Sequence, residues 1–171
     1  MSEEVSYKKV LKSSFLFGGV QVINILIAIV RSKCLALLIG PAGYGLFALL
    51  NSVVDITKQL TSLGLETAGV KYVSQADDSK VADITSTLLR MGLITGGSGV
   101  LLALTFSKYL SILTFNDTSK TVAIMSIAIS ILFLQLSSVQ TSIMQGTRKL
   151  IILAKANVLG NFVGLLCTLP L

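Results

Sequence analysis

Long apolar stretches separated by short polar segments organise the whole chain. Five stretches are visible, over about residues 13–39, 46–65, 84–106, 121–145 and 156–171. A helix needs about 20 residues to cross the hydrocarbon core of a bilayer, and the first four stretches are long enough. The pattern therefore predicts an all-α, polytopic transmembrane helix bundle, with about four complete spans and an incomplete fifth, in one membrane domain covering residues 1–171.

The fifth stretch is still apolar at Leu171, the last residue of the sequence. Because a complete membrane protein rarely stops inside an apolar helix, we expect this chain to be the truncated or N-terminal part of a longer protein. The alternative is a natural end, with Leu171 reaching the far interface through local thinning of the bilayer.

The distribution of basic residues predicts the orientation in the membrane. With a cytoplasmic N-terminus, the inside segments are residues 1–12, about 66–83 and about 146–155, and they hold most of the loop Lys and Arg residues. This asymmetry follows the positive-inside rule. Residues 66–83 mix charged with apolar side chains, so we expect them to lie along the cytoplasmic interface.

Composition excludes several classes of function. The chain is 53% hydrophobic and only 13% charged, which argues against a soluble enzyme domain and against disorder. Its net charge of +6 comes from residues scattered between apolar runs, so no nucleic-acid-binding patch is indicated. The sequence has no His and no phosphate loop, nucleophile elbow or metal-ligand cluster, and it predicts no enzyme, no metal and no cofactor. Cys34 and Cys167 are interpreted as small apolar fillers.

A polar stripe on the second predicted helix is the strongest functional signal. Its members recur at helical spacing on one face, and they are Asn51, Asp55, Lys58, Gln59, Ser62 and Glu66. The opposite face holds Leu49, Val53, Ile56, Leu60 and Leu63. Since charged groups are costly in lipid, the stripe must face protein or water. It is either a self-neutralising Asp55–Lys58 pair inside a bundle or, as its length favours, the lining of a hydrophilic cavity.

Arg31 and Lys33 lie in the last third of the first apolar stretch. The guanidinium of Arg31 offers a fork of donors suited to phosphate. The alternative is that both side chains extend to the lipid headgroups at the outer surface.

Other polar residues in the apolar stretches are expected to form hydrogen bonds between helices. They are Gln21 and Asn24, then Gln135, Ser138, Ser142 and Gln145, and finally Asn157 and Asn161. Pairs of glycines at Gly92/Gly96 and Gly160/Gly164 predict close helix packing.

A turn rich in glycine separates the first two stretches, with Gly40, Pro41, Gly43, Tyr44 and Gly45 breaking the helix. The run over residues 31–47 that contains this turn resembles the junction of the first two helices in Wzx-type polysaccharide flippases. These proteins belong to the multidrug/oligosaccharidyl-lipid/polysaccharide exporter superfamily. Residues 63–73 and the segment 145–150 resemble the same family, so the resemblance covers nearly the whole chain.

The resemblance implies the N-terminal part of one lobe in a two-lobe exporter of the bacterial inner membrane. Such proteins flip undecaprenyl-diphosphate-linked oligosaccharide by alternating access, for O-antigen, capsule or exopolysaccharide synthesis, beside polymerase and assembly proteins. By this resemblance, Arg31 and Lys33 are expected to meet the diphosphate, while Asp55, Lys58 and Glu66 are expected to line the sugar path or its cytoplasmic gate. The alternatives are a cation-coupled multidrug exporter of the same superfamily, and a truncated membrane protein or assembly subunit that does not transport.

Overall fold

The computed structural model describes residues 2–77 and 79–168, with side chains from residue 18 onward except at positions 20, 78, 165, 167 and 168. This part of the chain is helical, which confirms the predicted all-α class. The helices are α1 (Ser2–Ser62), α2 (Leu65–Gln75), α3 (Val81–Thr105), α4 (Ser107–Phe115), α5 (Thr121–Gly146) and α6 (Leu150–Thr168). The end of the chain at Leu171 and the side chain of Cys167 lie outside the described residues, whereas Cys34 is half-buried and unbridged.

Three described helical segments are long and apolar enough to cross a membrane. They are Gln21–Ser62, Val81–Thr105 and Thr121–Gly146, and a shorter apolar segment covers Leu150–Gly164. The first has 42 residues, which is about twice the length that a single crossing needs. It overlaps most of the first two predicted spans, over about residues 13–39 and 46–65.

Helical geometry is interrupted inside α1 at Gly40, which has a φ of 72° and a ψ of 169°. Glycine adopts this conformation at little cost, whereas it is unfavourable for residues with a Cβ atom. The break divides α1 into a first arm, residues 2–39, and a second arm, residues 41–62. The helix resumes at once because Pro41 has a φ suited to the first helical position, where its missing N–H costs nothing. Gly43, Tyr44 and Gly45 are therefore helical, and the interruption is shorter than the predicted turn.

The chain divides into two compact units. Unit 1 contains residues 1–44 and 149–171, and unit 2 contains residues 45–148. In unit 1, the first arm of α1 meets α6 through a side-chain hydrogen bond in which the Asn161 amide donates to Asn24, at 3.0 Å. This confirms the interhelical role predicted for these two residues. Gly160 has no atom of another residue near the position of a Cβ, so it is not a site of close packing among the described residues.

In unit 2, the small residues of α3 let α5 approach closely. A Cβ on Gly92 would lie 2.9 Å from a methyl of Val139, and one on Gly99 would lie 2.8 Å from a methyl of Ile131. At Gly96 the Cβ would meet the backbone Cα of Leu132 at 3.3 Å. The predicted close packing at Gly92 and Gly96 is confirmed, because a methyl group at either position would press against atoms of α5.

The short helix α2 packs on the C-terminal half of α5 by the same means. A Cβ on Gly69 would lie 2.6 Å from the hydroxyl of Ser142, and one on Gly146 would lie 2.6 Å from the Cβ of Val73. Leu65 and Val73 of α2 join Leu88 of α3 and Val139 of α5 in a buried apolar cluster. This packing holds α2 against the bundle directly after the end of α1.

Gln135 lies at the centre of the α3–α5 contact with no exposed surface. Its amide nitrogen and oxygen have no hydrogen-bond partner among the described residues. The interhelical hydrogen bond predicted for Gln135 is therefore not formed. The side chain of this residue contributes packing instead, since its Cβ lies where a side chain on Gly96 would have to go.

Two neighbouring glycines of α3 test the close packing. Gly96→Ala forces a methyl against the backbone of Leu132, whereas Gly97→Ala meets nothing within 4 Å. Both changes gain about 1 kcal/mol of helix propensity, but overpacking at position 96 costs about 1–3 kcal/mol. We expect Gly97→Ala to raise the melting temperature of the detergent-solubilised protein. The melting temperature of Gly96→Ala should lie below that of Gly97→Ala. Equal melting temperatures for the two variants would show that α3 and α5 are not in close contact here.

Candidate functional site

The second arm of α1 has three distinct faces. At about 100° per residue, the faces are spaced roughly 120° apart around the helix axis. One is buried inside unit 2 and consists of Val53, Val54, Thr57 and Thr61. A second is apolar and exposed, with Leu49, Ile56 and Leu60. The third, which we call the polar face, carries Asn51, Asp55, Lys58, Gln59 and Ser62 and continues onto Glu66 of α2.

The polar face points away from the core of unit 2. Asn51, Asp55 and Gln59 are exposed, and Lys58 and Ser62 are half-buried at its edge. The core instead receives two threonines whose hydroxyls donate to carbonyls of their own helix, Thr57 to Val53 at 2.8 Å and Thr61 to Thr57 at 3.0 Å. Apart from Lys58 and Glu66, unit 2 therefore does not use the polar face to hold its own helices together.

Lys58 connects three helices. Its ammonium group lies 3.0 Å from a carboxylate oxygen of Glu66 on α2 and donates a hydrogen bond to the hydroxyl of Ser138 on α5. The side chains of Lys58 and Glu66 are 21% and 48% exposed, so the pair lies at the boundary of the bundle. The network fixes the end of α1 to α2 and α5 while leaving one side of the carboxylate accessible.

Asp55 takes no part in this network. The Asp55–Lys58 pair, which was the less favoured alternative for the stripe, is not formed, because the ammonium group of Lys58 turns toward Glu66, and none of the described ion pairs involves Asp55. The physical reason is that Glu66 and Ser138 lie on the bundle side of Lys58, where two partners satisfy one ammonium group. The carboxylate of Asp55 stays on the exposed surface of the polar face.

Glu66 lies in α2, beyond the end of the apolar segment at Ser62. The hydroxyl of Ser138 hydrogen-bonds its carboxylate and lowers the pKa of Glu66 below the usual value, while partial burial opposes this shift. The hydrogen bond and the positive charge of Lys58 lower this pKa further. Glu66 is therefore ionised near neutral pH, as the ion pair requires.

Arg31 lies in the first arm of α1, in unit 1, against α6. A Cβ on Gly164 would lie 3.3 Å from a terminal nitrogen of the Arg31 guanidinium. The Nε of Arg31 is buried and has no hydrogen-bond partner among the described residues. The small residue on α6 thus admits the guanidinium group of an arginine into the contact between the two helices.

Lys33 is exposed and lies two residues after Arg31 on the same helix. Residues at this spacing are about 200° apart around the axis and do not face each other. The two cations therefore leave α1 in different directions, so the geometry does not bring them together on one face.

The interhelical hydrogen bond predicted for Ser138 is confirmed, although its partner, Lys58, is a long-range contact that helical spacing does not reveal. The roles of the two buried threonines were not predicted. Thr57 and Thr61 could have been found from their spacing, since they share the buried face with Val53 and Val54. Within the described residues no group of three or more His, Cys, Asp or Glu side chains is placed to hold a metal ion.

Comparison with known protein families gives a match that spans most of the chain. Residues 10–169 match the model of the polysaccharide biosynthesis protein family. The chain therefore belongs to the polysaccharide biosynthesis protein family, and with its apolar helices it is a membrane protein of polysaccharide biosynthesis or export. Searches of curated proteins and of solved structures give no match. The resemblance noted in the sequence is confirmed at the level of the family.

A double-mutant cycle tests the Lys58–Glu66 pair. Lys58→Met and Glu66→Gln are measured singly and together, and we expect their losses of stability not to add in the double variant. The coupling free energy should be about 0.2–1 kcal/mol, because the pair is partly exposed. Lys58→Met with Asp55→Asn serves as the matched control and should be additive. Coupling in the control cycle but not in the first cycle would show that Lys58 pairs with Asp55 and not with Glu66.

The same pair predicts a dependence of stability on pH. The folded pKa of Glu66 lies below the unfolded value, so its stabilisation is complete above the unfolded pKa and is lost as the pH falls through the folded pKa. We expect the melting temperatures of wild type and Glu66→Gln to differ at neutral pH and to converge in acid. A difference that grew on acidification would contradict this assignment.

Proposed function

We propose that this chain forms part of a flippase that moves a lipid-linked oligosaccharide across the membrane for polysaccharide assembly. The observation that carries the proposal is the polar face of α1, which unit 2 leaves exposed in a chain that is otherwise mostly apolar. Membership of the polysaccharide biosynthesis protein family supports the substrate class.

The chemistry of the polar face fits sugars. Amide and carboxylate groups in lipid cost several kcal/mol unless they are hydrogen-bonded, so this face requires water or a polar ligand. Asn51, Asp55 and Gln59 provide acceptors and donors at helical spacing, and none of their side chains is held by another helix among the described residues. A water-filled cavity along this face would let hydroxyl-rich groups pass without entering lipid.

Arg31 is proposed as a contact for the diphosphate of the substrate. A guanidinium group suits phosphate because its donors form a planar fork. The buried and unpartnered Nε supports this role, since a charged group with an unsatisfied donor binds an anion at little extra desolvation cost. Lys33, which leaves the helix in another direction, is assigned to the lipid headgroups at the membrane surface.

The remaining parts of the proposal concern the cell. We place the protein in the bacterial inner membrane with a cytoplasmic N-terminus, on the basis of the basic residues in the predicted inside segments. Transport would proceed by alternating access, and the product would pass to a polysaccharide polymerase or another assembly protein.

Gln59 tests the role of the polar face. It is exposed, and its side chain forms no hydrogen bond among the described residues, so Gln59→Leu should leave folding intact. We expect this variant of the native gene to lose most of the surface polysaccharide at unchanged protein level. Leu60→Ala, the neighbouring exposed residue on the apolar face, is the control and should leave polysaccharide unchanged. Normal polysaccharide in Gln59→Leu would count against a cavity on the polar face.

Arg31→Ala tests the diphosphate contact independently. We expect less surface polysaccharide, accumulation of the lipid-linked precursor, and normal protein abundance on immunoblots. Lys33→Ala is the matched control, because it removes an equal charge from the same helix, and it should behave as wild type. If Arg31→Ala makes normal polysaccharide, or if both variants are equally impaired, Arg31 has no specific role in substrate binding.

A further inference from the structure

The short helix α4 has its polar and apolar sides arranged opposite to those of a helix at a water-facing surface. It packs mainly on α5, and its two serines, Ser107 and Ser111, are only 2% and 0% exposed. Tyr109 and Leu113, which are 64% and 70% exposed, lie on the other side, because two residues correspond to about 200° around a helix. In water, this arrangement would uncover large apolar side chains while burying small hydroxyl groups. The exposed side of α4 therefore favours an apolar medium.

The buried hydroxyl groups fix the rotation of α4 about its axis. The hydroxyl of Ser107 donates to the carbonyl of Leu104 at 2.8 Å. The hydroxyl of Ser111 donates to the carbonyl of Asp117 in the following loop. Asn116 ends the helix in the left-handed conformation, with a φ of 52°. Turning the apolar side inward would break the Ser111–Asp117 hydrogen bond and bury no new apolar partner for the serines, so this side stays exposed.

The exposed side of α4 continues the outer surface of α3. Four exposed apolar or aromatic residues follow one another at intervals of four, three and four positions, and we call them the apolar stripe: Leu102, Phe106, Tyr109 and Leu113. Residues at this spacing share one side of a helix. Since Val81–Thr105 is long and apolar enough to cross a membrane, its exposed apolar side chains meet lipid. The continuity of the stripe indicates that α4 meets the same medium.

The position of α4 along the chain places it at the end of a membrane crossing. The 25 residues of α3 measure about 37 Å at 1.5 Å per residue, which exceeds the hydrocarbon thickness of about 30 Å. The helix α4 therefore begins at the membrane surface to which α3 leads. Lys108 is exposed beside the stripe, and the half-buried Lys120 follows in the loop. Lysines can extend to the phosphates of lipid headgroups, and tyrosines such as Tyr109 are favoured at this level.

We propose that α4 is an interfacial helix whose apolar stripe is immersed in the lipid of one leaflet, close to the headgroups. Lipid is the partner that fits, because the stripe continues the surface of a membrane-crossing helix and has a lysine beside it. Bound in this way, α4 fixes the depth of the α3–α5 connection. Through the Ser111–Asp117 hydrogen bond it also holds the loop over residues 116–120 at the membrane surface. This role is independent of the substrate.

Tryptophan fluorescence tests the proposal, because the native chain contains no tryptophan. Each variant carries one tryptophan in the full chain and is reconstituted in phosphatidylcholine vesicles. The four variants are Tyr109→Trp and Leu113→Trp in the stripe, Ile94→Trp near the middle of α3, and Thr118→Trp in the loop, all at exposed positions. Quenching is measured with phosphatidylcholine brominated at a shallow or a deep position of its chains, and with aqueous iodide. Thermal unfolding in detergent checks that each variant is folded.

We expect the shallow brominated lipid to quench Tyr109→Trp and Leu113→Trp several-fold more than Thr118→Trp. Iodide should show the reverse order, and the deep brominated lipid should quench Ile94→Trp most. Tyr109→Trp keeps an aromatic ring at its position, so the test stands even if Leu113→Trp does not fold.

Three results would overturn the proposal. Quenching of the stripe variants by iodide as strongly as Thr118→Trp would place α4 in water. Resistance of the stripe variants to both iodide and brominated lipid would show that protein, such as a second copy of the chain, covers the stripe. Quenching of the stripe variants by the deep lipid as strongly as Ile94→Trp would place α4 in the hydrocarbon interior.

Discussion

The free energy of placing a polar group in hydrocarbon governs which surfaces of this chain can meet lipid. An amide, hydroxyl or carboxylate in the apolar phase costs several kcal/mol unless it is hydrogen-bonded. Most serines and threonines of the helices avoid this cost by donating to a carbonyl three or four residues earlier, as Thr57 and Thr95 do. Asp55 and Gln59 have no such partner among the described residues, so the medium around them must be polar.

Close helix packing makes this arrangement possible. The small residues of α3 at Gly92, Gly96 and Gly99 allow α5 to approach so closely that unit 2 buries its contacts with few polar groups. The buried face of the second arm of α1 joins this core through Val54, which packs with Ala103, Ala128 and Ile131. Since this face packs the arm into the core of unit 2, the other two faces can differ, one apolar and one polar. The Lys58–Glu66 pair then fixes the polar face at its C-terminal end.

Hydrophobic periodicity was sufficient to predict the helical class and the polar face on the second arm of α1, but not α4, which lies between two predicted spans. It also predicted interhelical hydrogen bonds for Asn24 and Asn161 and the packing role of Gly96, because these depend on residue type within an apolar helix. It did not predict the partner of Lys58. Spacing along one helix offered Asp55 as one alternative, whereas the observed partners belong to α2 and α5, and their proximity depends on how the helices pack. The unpaired amide of Gln135 is likewise a result of packing, which places α3 glycines where a polar partner would otherwise lie.

The central claim is that the polar face of α1 borders water while the neighbouring apolar face borders lipid. Thiol labelling measures this most directly, in a protein whose two native cysteines are replaced by serine. A membrane-impermeant, charged thiol reagent is applied to cells and to inverted vesicles carrying Gln59→Cys or Leu60→Cys. Both positions are exposed in the chain, and Leu60 is 69% exposed, so only the surrounding medium differs between them. We expect Gln59→Cys to be labelled and Leu60→Cys not to be labelled. If neither variant is labelled from either side of the membrane, the claim is contradicted.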